Sequence, residues 1–414
     1  MTAFRIINAR DRRSVDRFLD RAHRRDPRLD RRVRAIVDRV RAEGDRALRR
    51  FARRFDGVAG SLEVTEREVE AGVRRVPADV RRAISRAARN IERVAARQLP
   101  KTVRAPVAPG VSIEQRVEPL ARVGCYVPGG RFPLPSSLLM TAIPARVAGV
   151  PEIIAACPKP EPAVMAAALE AGITRLFRIG GAHSVAALAY GTATIPRVDK
   201  LVGPGSRYVA AAKAYVAGDC AIDFYAGPTE IVIVAGGGRP DWIAADLVAQ
   251  AEHDPEARPI LITWNASLAD QVARAIVRRA SARPIARAAL MANGAAIVAR
   301  TADEAIILSN RIAPEHLVVD RESLARRSLT AGSVFVGPFA AQAAGDYATG
   351  SNHVLPTSGA SRFRGGLSAL DFVRIMSVQR LTRAGLARLT PTIVPLARAE
   401  GLEAHAESVE VRFS

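Results

Sequence analysis

The run VAQAEHDPEA, residues 248–257, sets an amide and an imidazole three positions apart, at Gln250 and His253. On a helix such residues share a face, and a carbonyl oxygen beside an imidazole nitrogen suits zinc or a similar divalent ion. A plain polar helix end accounts for the same pair, so the choice depends on ligands elsewhere. There are six histidines in the chain. His23 lies in a basic helical region and reads as a surface residue, while His183 follows a Gly-Gly turn. His316, His353 and His405 keep polar company in APEHLVV, GDYATGSNHVLP and EGLEAHAESVEV. Asp346, in the glycine-rich loop before His353, offers a hard oxygen ligand. Gln250, His253, Asp346 and His405 together would supply two oxygens and two nitrogens without a thiolate, unlike a closed structural zinc site. Spacing alone does not make them converge. Glu315–His316, placed after Pro314 and before an apolar run, pairs an acid with an imidazole at a strand mouth. Beside a metal such a pair can move protons near neutral pH; otherwise it is an exposed polar pair.

The elements that must carry these residues follow from the patterning. Pro240 and Asp241 open a helix whose apolar side holds Ile243, Leu247, Val248 and Ala251, and Pro255 forces its end. From about residue 112, short β-branched runs alternate with helical patterns, the grammar of parallel sheets with helices on their faces. Four strand ends carry glycine turns, in YVPGGR, RIGGAHS, VGPGS and YAGPTE. Carboxyl ends of strands line the ligand crevice in open α/β sheets. The GxGxxG fingerprint is missing; GPGSRY keeps only its first two glycines. Residues 120–225 and 229–340 read as two related halves. The first hundred residues read as helical, with a capping box at Thr65 and Glu68 and an apolar stripe through Val80, Ile84, Ala87, Ile91 and Val94. The prolines between Gln98 and Pro109 mark a junction, and the last forty-odd residues read as a helical tail.

With 414 residues, 49% hydrophobic and 5% aromatic, the chain suits an Ala- and Val-rich α/β protein of more than one domain. Its net charge of +20 is concentrated in residues 1–104, which hold 30 Lys and Arg against 15 Asp and Glu. Acids interleave with these bases and stacking aromatics are scarce, so nucleic-acid binding is not expected, and attraction of anionic small molecules is. No apolar run is long enough for a membrane span, and the start lacks a signal-peptide core. Cys125, Cys157 and Cys220 lack metal spacing and fit a reducing cytoplasm.

Several long motifs in collinear order resemble the histidinol dehydrogenase family. They are IDFYAGPTEIVIVA with WIAADLVAQAEHD, VGCYVPGGR, VDKLVGPGSRYVAAAK, RIAPEHL, AGDYATGSNHVLP and EGLEAH. The resemblance implies oxidation of L-histidinol to L-histidine through the aldehyde, with two NAD and one zinc ion. It assigns zinc to Gln250, His253, Asp346 and His405, and proton transfer to Glu315 and His316. It assigns the substrate to Thr229, His353 and Glu400, together with His316 and the zinc ligands. Cofactor contacts fall on Tyr126, His183 and Ser206, where the family usually has glutamine at the second and asparagine at the third.

The implied fold is two Rossmann-like α/β domains with helical N- and C-terminal segments, in a domain-swapped homodimer that shares its sites. The expected division is a helical arm over 1–21, a discontinuous domain over 22–125 and 229–367 carrying most of the zinc and catalytic site, a second domain over 126–228 with the NAD turns, and a dimerisation tail over 368–414. Two alternatives stay open: a paralogue oxidising another small alcohol such as a sulfonated diol, and a non-redox metal hydrolase or ligand-binding protein.

Overall fold

The computed structural model describes residues 4–19, 26–129, 132–225 and 227–414; His23, Gly130 and Arg131 of the PGGR turn, and Ala226 of the YAGPT turn lie outside them. Two six-stranded sheets organise the chain. The first runs, edge to edge, through Arg5–Asn8, Ala295–Val298, Arg258–Thr263, Glu230–Val234, His316–Val319 and Ser333–Val336, all parallel. The second runs through Glu63–Val64, Arg175–Phe177, Glu152–Ala156, Arg122–Tyr126, Lys200–Val202 and Ala221–Ile222, parallel except for its first strand. Central strands such as Glu230–Val234 (EIVIV) are buried at every position, as a parallel sheet covered on both faces requires. A third, antiparallel sheet joins Val373–Leu381, Val111–Pro119 and Val103–Ala108.

The two expected halves therefore exist as two mixed-element layers, and the capping box at Thr65 and Glu68 forms as read. Two expectations differ from the structure. The N-terminal arm contains an edge strand, Arg5–Asn8, because RIIN completes the first sheet beside Ala295–Val298. Residues 26–125 pack mainly with 126–228, while Val354 and Leu367 of the 229–367 stretch join the same core. Helix Ala78–Ala95 buries Ile84, Ala88 and Ile91 in a core with helices Pro135–Val147 and Pro162–Ala171, and Val33, Val37 and Val40 of helix Pro27–Glu43 pack with residues 177–216. The apolar stripe identified a buried face but carried no information on which sheet it covers. The tail also opens on a strand, since Val373–Leu381 pairs along its whole length with Val111–Pro119 before helices Arg383–Ala399 and Glu403–Glu410.

A buried ion pair holds one glycine turn in place. Lys213, from helix Arg207–Val216, donates to the Gly203 carbonyl at 2.8 Å and contacts Asp223, whose Oδ2 accepts from the Gly203 N–H at 2.8 Å. Gly203 has φ +115°, and a Cβ there would meet the Tyr126 carbonyl oxygen, so only glycine fits. Removing one member of a buried pair leaves an uncompensated charge, at a cost of about 3–5 kcal/mol. Asp223→Ala is accordingly expected to lower the urea midpoint sharply, whereas Lys213→Met with Asp223→Leu restores most of it; equal midpoints for the single and double variants would contradict this.

Candidate active site

A cavity of about 340 Å³ lies between the two six-stranded sheets. One wall comes from the carboxyl ends of the second sheet's strands, through Pro128 and the turn Pro204–Ser206. The other comes from the amino ends of the first sheet's strands, where Thr229 precedes Glu230–Val234 and Glu315 precedes His316–Val319. The remaining lining comes from the end of helix Pro240–Ala251 and from the stretch Asp346–Thr357.

Glu315 is buried against the neighbouring strand. Its Oε2 accepts from the Thr229 hydroxyl at 2.5 Å and from the Glu230 N–H at 2.9 Å. Burial outweighs these donors and pushes its carboxyl up to about 8, with the Asp346 charge adding to the rise. The His316 ring has one consistent hydrogen assignment. Nδ1–H donates to the Glu230 carbonyl at 3.2 Å, and Nε2 accepts from the Gln342 amide at 3.1 Å. Burial holds this imidazole below its usual range, so it stays neutral with a basic Nε2. Gln342 also donates to Asp346 Oδ2 at 2.8 Å, which ties the acid to the imidazole. His353 donates from Nδ1 to the Asp346 carbonyl at 3.0 Å, and its Nε2 stands 3.4 Å from the Ser137 hydroxyl.

The residues suited to a metal bear on the same space. Helix Pro240–Ala251 places Gln250 in its last turn, and His253 follows just beyond it, so the opening pair does share a helix end. The Gln250 amide N–H₂ donates to the Thr229 hydroxyl, which turns Oε1 away from it. Oε1 is buried and has no hydrogen-bond partner among the described residues. A buried carbonyl oxygen without a donor needs a ligand or cation, and with His253 and Asp346 it offers oxygen and nitrogen donors that fit a divalent ion such as zinc. Among the described residues no group of three or more His, Cys, Asp or Glu is set to hold a metal by itself.

Ser206, Thr229, Gln250, His253, Glu315, His316, Asp346 and His353 thus come together. Glu400 and His405 do not; both are exposed on the C-terminal helices. Tyr126 stands behind the wall, its hydroxyl accepting from the Gly181 N–H at 3.2 Å and its ring beside Gly205. His183 is only 2% exposed and does not face the cavity, because Asp56 holds its Nε2 at 2.8 Å and Phe51 and Phe55 flank the ring. The expected direct contact of His183 with a cofactor is not what this packing provides. Ser206 is the exposed N-cap of helix Arg207–Val216 and makes no side-chain capping bond, which leaves that helix end available to an anion. The three thiols are buried, and burial pushes Cys125 and Cys157 up to about 12 and Cys220 to about 11, so none acts as a nucleophile.

Gln342, Ser137, Phe224 and Thr357 belong to the site and were not singled out by sequence. Gln342 had a signal, standing four residues before Asp346 on one helix face. The others reach the cavity only through the tertiary fold.

The histidinol dehydrogenase family model matches residues 19–413. Histidinol dehydrogenase of Geobacter sulfurreducens is 46% identical over 393 residues, spanning 91% of this chain and 92% of the relative. That of Rhizobium meliloti is 47% identical over 396 residues, spanning 92% and 91%. The crystal structure of histidinol dehydrogenase from Elizabethkingia anophelis superposes with a TM-score of 0.94 at 32% identity, covering 99% of this chain and 98% of that one. With a match this complete and the same polar groups gathered in one cavity, the chain belongs to the histidinol dehydrogenase family.

Proposed function

We propose that this oxidoreductase converts L-histidinol to L-histidine through L-histidinal in histidine biosynthesis, with NAD as hydride acceptor and a zinc ion in the cavity. The observation that carries the reading is the buried, partnerless Oε1 of Gln250 one hydroxyl away from the Glu315 and His316 pair. Gln250, His253 and Asp346 hold the metal, with His405 of a second copy as fourth donor. When bound, the ion orients the substrate's amino and imidazole nitrogens and offsets charge.

The chain's own groups then move the protons. His316 Nε2 takes the alcohol proton as the carbinol hydride leaves to NAD, giving the aldehyde. Glu315, its Oε2 fixed by Thr229 and Glu230, takes a proton from water as the oxygen adds to the aldehyde carbon. His316 returns its first proton to the carbonyl oxygen as the water adds, then takes the hydrate's hydroxyl proton as the second hydride leaves to NAD, and the acid so formed ionises to the carboxylate. Thr229, His353 and Glu400 position the substrate. The turn Pro204–Ser206 and the open end of helix Arg207–Val216 receive the anionic part of NAD, while Tyr126 and His183 support that wall from behind.

The homodimer reading is supported by the tail. Helices Arg383–Ala399 and Glu403–Glu410 pack on each other through the small core of Val394, Ala397 and Ala406, and leave Leu396 58% and Val411 63% exposed. A second copy covers these faces and brings Glu400 and His405 to its neighbour's cavity. The three buried, unpaired thiols support a reducing cytoplasm, and among the described residues no helix is long and apolar enough to cross a membrane.

NADH formation from L-histidinol, against a panel of other small alcohols including a sulfonated diol, tests the reaction. His316→Gln is expected to slow alcohol oxidation, and Glu315→Gln chiefly the oxidation of supplied aldehyde, each by on the order of 10²–10⁴. No NADH from L-histidinol with a metal-loaded protein sinks the proposal.

The raised Glu315 carboxyl has a stability signature. Its folded value of about 8 exceeds the ordinary 4.5, so the folded chain holds an extra proton between them. Stability of the metal-free protein therefore falls as pH rises through that window. Glu315→Gln should flatten the drop in melting temperature between about pH 5 and about pH 9, with Glu230, raised to about 7 by burial, supplying the remainder. An unchanged slope would mean that Glu315 does not titrate there.

For the tail, His405→Ala and His253→Ala are each expected to be inactive, and mixing them under subunit exchange to restore roughly a quarter of the activity, since half the dimers carry one intact site. Exchange without recovery rejects the shared site.

A further inference from the structure

The catalytic cavity uses the amino ends of the first sheet, which leaves its carboxyl ends unassigned. From Glu230–Val234 the chain steps outward to Arg258–Thr263 and Ala295–Val298, then returns to the other side of Glu230–Val234 as His316–Val319. The loops leaving Val234 and Val319 therefore diverge, and a crevice opens between them at the topological switch point, the position where open α/β sheets bind ligands. A second cavity of about 450 Å³ occupies that crevice, within the size range of small-molecule sites.

Its floor is apolar, through Ile233, Ile243 and Val318. Trp242 forms a wall, 37% exposed and tilted against Phe339 with ring centroids 5.8 Å apart. Two charged side chains in the lining lack a charge partner. Asp246 makes no hydrogen bond or ion pair among the described residues, and burial alone pushes its carboxyl up to about 6. Arg239 has no carboxylate partner among them and lies over the Trp242 ring, 4.7 Å from its centroid. The acid and the base line one cavity without pairing with each other. By contrast Arg321, at the same rim, is neutralised by Asp320 at 2.8 Å, and Asp320 also accepts from the Gly236 N–H to hold the crevice shape. Gly237 and Gly238 border the cavity, and no atom lies within 4 Å of where their side chains would stand.

We propose that this crevice is a second binding site, for a free α-amino acid with an apolar side chain. The ammonium meets Asp246, the carboxylate meets Arg239, and the side chain lies on Trp242 and the apolar floor. A half-buried acid and an exposed base, neither with a charge partner among the described residues, line one apolar cavity and complement a zwitterion, and a ligand without the ammonium leaves Asp246 covered and unpaired. The site is separate from the catalytic cavity, and helix Pro240–Ala251 spans the two, with Asp246 one turn before Gln250.

Calorimetric titration of the full chain with L-phenylalanine, phenethylamine and 3-phenylpropionate tests this without reference to catalysis. L-Phenylalanine is expected to bind at least about tenfold more tightly than either half-ligand. Asp246→Asn should reduce it to the level of 3-phenylpropionate, and Arg239→Gln to that of phenethylamine. No saturable binding of L-phenylalanine up to about 10 mM overturns the site. Binding that survives both substitutions places the ligand elsewhere, the catalytic cavity included, and overturns it equally.

Discussion

A carboxyl group buried at the mouth of a parallel strand must find donors, and Glu315 takes both of its own from the neighbouring strand start. The Thr229 hydroxyl and the Glu230 amide converge on one oxygen, which fixes the adjacent strand mouths relative to each other. The consequences propagate from that junction. Because Thr229 spends its hydrogen on Glu315, its oxygen must accept, and it accepts from Gln250. Because Gln250 spends its N–H₂ there, its carbonyl is left facing the cavity with nothing to bind. Because the Glu230 carbonyl takes the His316 Nδ1–H, the basic nitrogen of that ring is the one turned to Gln342 and Asp346. One shared hydroxyl and one peptide thus set the protonation pattern of the site.

That pattern depends on how the sheets are opposed. The second sheet presents carboxyl ends, whose glycine turns bring backbone and an open helix end to the cavity, a surface suited to a phosphate-bearing cofactor. The first presents amino ends, where side chains of the residues just before each strand are fixed by the ladder itself. Thr229, Glu315 and His316 therefore sit on the more rigid framework, as a site demanding sub-ångström placement requires. The Lys213–Asp223 pair serves the opposite wall, clamping both polar groups of Gly203 so that a turn of small residues keeps one shape.

What could be read from sequence follows the range of the forces involved. The helix carrying Gln250, the capping box at Thr65 and the buried strand EIVIV are local patterns, and they form as read. The Glu315 and His316 pair was readable as an acid beside an imidazole, but not that burial would raise one and lower the other, since that depends on strands far apart in the chain. His183 shows the limit most clearly. The family resemblance implied a cofactor contact there, yet Asp56, from the short helix Ala52–Asp56, reaches across 127 positions to turn it inward. The packing partners of the first hundred residues were not readable for a related reason, because an apolar stripe states that a face is buried and not what buries it.

The C-terminal tail extends this reasoning to the whole particle. Its strand pairs residue for residue with Val111–Pro119, but Val103, Val107 and Ile375 of the same small sheet stay more than half exposed. An antiparallel sheet tolerates one wet face, and a single exposed Val or Ile needs no explanation. A sheet with apolar residues on show, followed by a helix pair whose own core is three side chains, does not bury enough surface to hold its position unaided. The same tail carries Glu400 and His405, polar groups with no role where the isolated chain leaves them. The exposed apolar faces of the tail and the distance of Glu400 and His405 from the cavity are thus the two observations behind the proposed two-fold partner, which would account for both with a single contact.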